Sequence, residues 1–206
     1  MKQTIIALKE LVDSLHAQGD MMCIARQFDE SMPKFAFVFD ARNLLDGKPN
    51  NAVESACALA RHYVDTDRTH DAERILTTLT SYLRENTTAS DEQMLVLYEA
   101  LFKVQDDCKD YTKAVISHQN THRLRVNLHG RVSREVAESH ERGGRLYEHY
   151  SEAKDADWYS FEGRCLREQA LESLISARDT YALLPDADND MDRVQNLMHL
   201  MAMHLF

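Results

Sequence analysis

Chain breakers are scarce in this sequence: three prolines and six glycines are spread over 206 residues. Little in it can interrupt a helix, and polar stretches rich in Glu, Lys, Arg, Gln and Ala favour helix nearly throughout. Cysteine is also rare. Cys23, Cys57, Cys108 and Cys165 are widely scattered with no Cys-x-x-Cys pair, which excludes a zinc site or disulfide framework built on such pairs and leaves reduced thiols as the expectation. No apolar run approaches a membrane span, and the short one at the N-terminus meets Lys9 and Glu10 too early for a signal peptide. A soluble, cytoplasmic chain is therefore expected. Positive charge is short as well, with 24 Lys and Arg against 34 Asp and Glu for a net charge of −10, which opposes non-specific binding to nucleic acid or anionic lipid. Catalytic signatures are missing too: there is no Gly-x-Ser-x-Gly, no Gly-rich phosphate loop, no Cys-plus-His signature, and no Glu-x-x-His pair of the kind di-iron bundles use. No cofactor or metal is expected.

What is present is helical periodicity. Between Val53 and Asn86, Leu59, Ala60 and Tyr63 mark one face of a first short helix, and Ala72, Leu76 and Leu79 mark one face of a second. The polar turn Asp65-Thr66-Asp67-Arg68 joins them. Small Ala60 opposite small Ala72 predicts close backbone approach, with Tyr63 and Leu76 filling the space around it. Upstream, Thr4 caps a helix to about Ala17 with Ile5, Leu8, Leu11, Val12 and Leu15 as its stripe, and Gly19-Asp20 is expected to break it. Ile24 and Phe28 then share a face on a helix that Pro33 limits. Phe35 to Phe39 alternates like a strand, but a lone strand has no partner, so a buried helix over 34–45 is expected, closed by the turn at 46–50. Ser90 and Gln93 form a capping box for a helix to about Asp107.

The order Leu59-Ala60-x-x-Tyr63, eight residues, then Ala72-x-x-x-Leu76 resembles a tetratricopeptide repeat. Leu11, Leu15, Gly19-Asp20, Ile24 and Phe28 resemble a second unit with Ile24 where the family prefers Ala, and Asp110-Tyr111-x-x-Ala114-Val115 resembles the start of a repeat's second helix. Ala72 and Ala114 are 42 residues apart, against a standard repeat of roughly 34. The region from Tyr98 to Arg125 also looks similar to tetratricopeptide regions that precede output domains in bacterial regulators. The resemblance implies antiparallel helical hairpins, in a short irregular solenoid or bundle, and a role in binding a protein or peptide.

After Arg131 the helices lengthen. Val132 and Val136 open one that Gly143-Gly144 is expected to kink or end, and Phe161, Cys165, Leu166, Ala170, Leu174, Ala177, Tyr181 and Leu184 keep to one face of a helix expected to run from Trp158 to Pro185. Tyr147, Tyr150, Trp158 and Phe161 read as core. The stretch from Asp190 to Phe206 is apolar nearly all round, so Met198, Met201, Leu205 and Phe206 are candidates for burial in the fold, for a homodimer interface, or for packing against a further domain into which the chain would continue. The chain reads as one all-α domain over 1–206, with repeat-like hairpins over 1–130 and longer bracing helices over 131–206.

One stretch stands out chemically. Tyr111 to Arg134 holds no Asp or Glu, yet carries Lys113, Arg123, Arg125, Arg131 and Arg134 together with His118, His122 and His129. On a continuous helix His118, His122, Arg125 and His129 form one stripe. That stripe reads as a surface for an acidic protein or peptide, or for nucleic acid, and its bland reading is internal compensation of an acidic chain. The His118-x-x-x-His122 spacing suits a metal, but Arg125 on the same stripe opposes a dication. His70-Asp71 reads as a helix start, and the alternating Asp186, Asp188, Asp190 and Asp192 as a linker and cap, since Met191 and Leu197 occupy the Gly and Glu positions of a calcium loop. The function expected is a regulatory or adaptor module that binds a protein or peptide. The alternatives are a nucleic-acid-associated regulator using 111–134 and a helical enzyme whose site assembles from residues distant in sequence.

Overall fold

A computed structural model describes residues 2–24, 28–48, 51–86, 89–154 and 161–203, with side chains described over 3–22, 31–48, 51–86, 89–154 and 161–202. Trp158, Leu205 and Phe206 lie outside these residues, as do the side chains of Cys23, Ile24 and Phe28. The described residues form nine α-helices and no strand: α1 Lys2–Ile24, α2 Phe28–Leu45, α3 Ala52–Asp65, α4 Thr69–Asn86, α5 Asp91–Asp107, α6 Tyr111–His129, α7 Arg134–Lys154, α8 Phe161–Tyr181 and α9 Asp188–Met203. Among them no helix is long and apolar enough to cross a membrane. The protein is all-α, and it divides into two compact units, Met1–Val104 and Gln105–Phe206.

In the first unit α1 packs on α2, α2 on α3, α3 on α4, and α4 back on α1, so these four helices close a ring around Leu8, Leu15, Phe37, Leu59, Leu76 and Leu79, all fully buried. Thr4 donates to Glu85 Oε2 at 2.9 Å and accepts from Asn86 Nδ2 at 3.0 Å, tying the start of α1 to the end of α4. The predicted hairpin is present as α3 and α4, with Leu59, Ala60, Tyr63, Ala72 and Leu76 buried. Its turn closes when Arg68 N–H reaches back to the Tyr63 carbonyl at 2.7 Å, with Asp67 at φ +59°, the left-handed residue such a helix end needs. The Arg68 guanidinium then lies 4.4 Å from the centre of the Tyr63 ring, a cation–π contact that covers the ring. The capping box of α5 is formed in both directions, Ser90 N–H to Gln93 Oε1 and Gln93 N–H to Ser90 Oγ, each at 3.2 Å.

Four expectations fail here, two of them because helix boundaries lie elsewhere: Thr4 stands inside α1, which begins at Lys2, rather than capping it, and Ile24 closes α1 while Phe28 opens α2, so they do not share one helix. Gly19-Asp20 does not break α1, which continues to Ile24. A Cβ on Gly19 would lie 2.9 Å from the Phe35 ring, so this glycine lets α2 approach rather than turning the chain. Pro33 does not limit a helix ahead of the apolar run either; it lies inside α2, which carries Phe35 to Phe39 as helix, at the cost of one backbone hydrogen bond.

In the second unit α6 packs on α7, α7 on α8, and α8 on α9. Gly143-Gly144 does not interrupt α7, which runs through both to Lys154. The helix expected from Trp158 to Pro185 is shorter, ending at Tyr181, where Ala182, Leu183 and Leu184 N–H groups fold back onto the Arg178, Thr180 and Tyr181 carbonyls and use up the last turn's acceptors. Phe161 is not core but 82% exposed. Met201 is buried in a cluster with Ala170, Leu174, Ala177, Tyr181, Ala187 and Val194, and Met198 packs against that cluster. The apolar side of α9 therefore serves this unit's own core, with Leu200 half exposed outside it.

Candidate functional site

Helix α6 begins where Asp110 accepts the Lys113 N–H at 3.3 Å and ends at Gly130, whose φ is +80°. Its inward face is Ala114, Ser117, His118, Thr121, Leu124 and Arg125. The structure therefore turns part of the predicted cationic stripe away from solvent: His118 and Arg125 are buried and His122 is half-buried, while Lys113, Arg123, His129, Arg131 and Arg134 are exposed. The eight residues do not form one continuous surface. Arg125 Nη1 donates to the Glu135 carbonyl at 3.1 Å, which spends its charge on the start of α7. Ser117 donates to Gln105 Oε1 at 2.7 Å.

One buried imidazole, His118, and two half-buried ones, His122 and His140, meet between α6 and α7. The His122 and His140 ring centres are 4.4 Å apart, and a Cβ on Gly143 would lie 2.7 Å from His118 Nε2, so the glycine makes room for that ring. Burial, then the nearby His122, Arg142, Arg125 and His140, push the His118 pKa down to about 3. Burial and His122 push His140 down to about 4, and burial and Arg125 lower His122. All three are neutral near pH 7. Among the described residues no group of three His, Cys, Asp or Glu side chains is placed to hold a metal ion.

Gly144 faces the other neighbour. A Cβ there would lie 2.7 Å from Leu174 Cγ and 3.2 Å from the Ala170 carbonyl oxygen, so α7 is clamped between α6 and α8 by two consecutive glycines. Gly144→Ala is expected to cost about 1–3 kcal/mol through overpacking, against a gain of about 1 kcal/mol in helix propensity. Net destabilisation measured by urea unfolding checks this, and a stabilised variant would contradict it.

The opposite edge of α7 carries an open cleft of about 330 Å³ lined by Glu138, Glu141, Arg142, Arg145 and, from α9, Arg193. Glu141 is buried and gripped from two sides. Arg193 donates through Nε to Oε1 at 3.1 Å and through Nη2 to Oε2 at 2.7 Å, and Arg145 Nη2 donates to Oε1 at 2.8 Å. Burial opposes the charge on Glu141, but the bonds and charges of Arg193 and Arg145 outweigh it and hold the carboxyl below its ordinary range. Arg193 Nη1 also donates to Asp190 at 2.8 Å, and Asp190 pairs with Arg134. The Asp190 of the calcium-like spacing is thus committed to two guanidinium groups, and Asp71 of the His70-Asp71 doublet is likewise held by Arg68 and Arg74.

Sequence reasoning missed His140, Glu141, Arg142, Arg145 and Arg193. Glu141 and Arg193 are 52 residues apart, so no local spacing links them. The one available signal was Arg193 as the sole Lys or Arg of α9.

No family model matches the chain, and no curated protein matches it. Among solved structures, that of BtubC (BKLC) from P. vanneervenii is similar at 14% identity and a TM-score of 0.43, over 98% of this chain and 90% of that one.

Proposed function

We propose that the chain is a regulatory or adaptor module that binds an acidic protein or peptide and has no catalytic role of its own. The observation that supports this is the outer face of α6. Lys113, Ile116 and Arg123 are exposed there in a helix that carries no carboxylate, and Ile116 is 57% exposed. The two cations lie about 15 Å apart along the axis at 1.5 Å per residue, and an exposed aliphatic side chain between them suits an amphipathic acidic segment. Lys113 is engaged with Asp110 at 2.9 Å, but a solvent-exposed pair of this kind is worth at most about 1 kcal/mol and exchanges readily for a partner's carboxylate. The resemblance to tetratricopeptide repeats adds to this reading.

Cross-linked capture from the native host, with the full chain as bait, tests it. The expected result is at least one protein retained by the natural chain and lost from Lys113→Glu/Arg123→Glu. The same proteins captured by both would remove the α6 face from the proposal. The nucleic-acid reading has less support, because Arg125 and His118 point inward and leave few cations to meet phosphates.

A further inference from the structure

We infer that the outer face of α2 docks a basic amphipathic helix of a partner protein. This goes beyond the α6 surface and does not rest on it, since it concerns the first unit. A helix that is apolar all round belongs inside a fold, and α2 is nearly such a helix, with Phe35, Ala36, Phe37, Val38 and Phe39 in one unbroken run. The first unit covers only one side of it. Lys34, Phe37, Val38 and Ala41 are buried, whereas Met32 is 63% and Phe39 67% exposed, and Ala36 between them is exposed too. These three residues fall at i, i+4 and i+7, one line along the outside of the helix, about 10 Å long at 1.5 Å per residue. Two large side chains flank a small one, a saddle that the side-chain ridge of a second helix fills. Methionine adapts to the shape of what it meets.

The charges around this line select the partner. Gly19 meets Phe35 and Asp13 meets Arg42, so α1 runs antiparallel to α2 and borders the line on one side. There Asp13 pairs with Arg42 at 3.6 Å, and Asp20 pairs with an imidazole, that of His16, at 3.2 Å. Asp40 borders the other side, one turn after Ala36, and on α3 the exposed Arg61 and Asp65 offset each other. Lys34, the cation next to the apolar run, adds nothing outside: it is fully buried, with Nζ 5.1 Å from the centre of the Tyr63 ring. Asp13, Asp20 and Asp40 thus stand against Arg42 alone. An amphipathic helix with lysine or arginine beside its apolar stripe matches this pattern, the apolar residues on Met32, Ala36 and Phe39 and the cations on the flanking carboxylates. A second copy of the chain would bring the same surplus of carboxylates and a net charge of −10, and like charges oppose that pairing.

Fluorescence anisotropy on the full chain at near-physiological salt, with a labelled leucine–lysine amphipathic helix of about four turns, tests this. Binding by the natural chain is expected, with a loss of about 10-fold or more in Met32→Ser/Phe39→Ser. The urea midpoint of that variant should not fall, because both side chains are exposed. Asp20→Lys/Asp40→Lys, which removes no apolar side chain, is expected to weaken binding as well, and it keeps the test open should the serine variant unfold. A peptide of the same composition with its leucines scattered round the helix should bind more weakly, and equal binding would reduce the effect to charge and overturn the inference. No binding by the natural chain overturns it too, as does binding that survives the substitutions on α2. Light scattering reads the other occupant: a dimer that falls to monomer in Met32→Ser/Phe39→Ser would give the face to a second copy and overturn the inference. Lys113→Glu/Arg123→Glu should leave the peptide affinity unchanged, so that failure here and failure of the α6 surface are read separately.

Discussion

Truncating Leu76 to alanine is expected to destabilise the first unit by about 2–5 kcal/mol, the range of buried leucine truncations. Leu76 is fully buried on α4, beside fully buried Ala72 and Leu79 and opposite the α3 face of Leu59, Ala60 and Tyr63. Its neighbours are themselves fully or nearly fully buried, so little is free to collapse into the space the truncation leaves. Urea unfolding of the full chain followed by far-UV circular dichroism reads the change in midpoint. A shift within about 0.5 kcal/mol, as at an ordinary surface site, would mean that the α3–α4 face is not core.

That hairpin is legible in the sequence because everything that specifies it is local. The 3.6-residue stripes of Leu59, Ala60 and Tyr63, and of Ala72, Leu76 and Leu79, lie within single helices, and the Ser90–Gln93 box spans three residues. Gly19 misleads for the complementary reason. By local rules a Gly-Asp pair ends a helix, whereas this glycine answers to the Phe35 ring on the next helix. Gly143 and Gly144 repeat the lesson, since each answers to a side chain on a different neighbouring helix. The cationic stripe of α6 reads as outward on the rule that charged residues face water. Both faces of α6 are polar, so no apolar periodicity marks which one packs, and the side carrying His118 and Arg125 is the buried one. The α7–α9 cleft leaves almost no trace in the sequence beyond Arg193 as the sole Lys or Arg of α9, because it joins residues that only tertiary structure brings together.

The inward placement of those histidines carries a large consequence for acid stability. Lowering the pH from 7 to 5 is expected to remove about 2 kcal/mol of the second unit's stability for buried His118, and about 1 kcal/mol for half-buried His140, where solvent screens part of the effect. Both have folded pKa values pushed below the ordinary 6.5, to about 3 and about 4, so between these values and 6.5 the unfolded chain binds the extra proton. The stabilisation is complete above pH 6.5 and falls as pH drops towards the folded values, by about 1.4 kcal/mol per pH unit for each proton. The groups that face His118 act in the same direction: His122 and Arg125 from α6, and His140 and Arg142 from α7. Protonation would set a buried imidazolium against two guanidinium groups. Urea unfolding of the natural chain at the two pH values should show the loss. His140→Gln, with one such proton removed from the balance, should retain about 1 kcal/mol more of its pH 7 stability at pH 5 than the natural chain does. Equal losses in both would assign the acid sensitivity to other groups and leave the His122–His140 contact as ordinary packing.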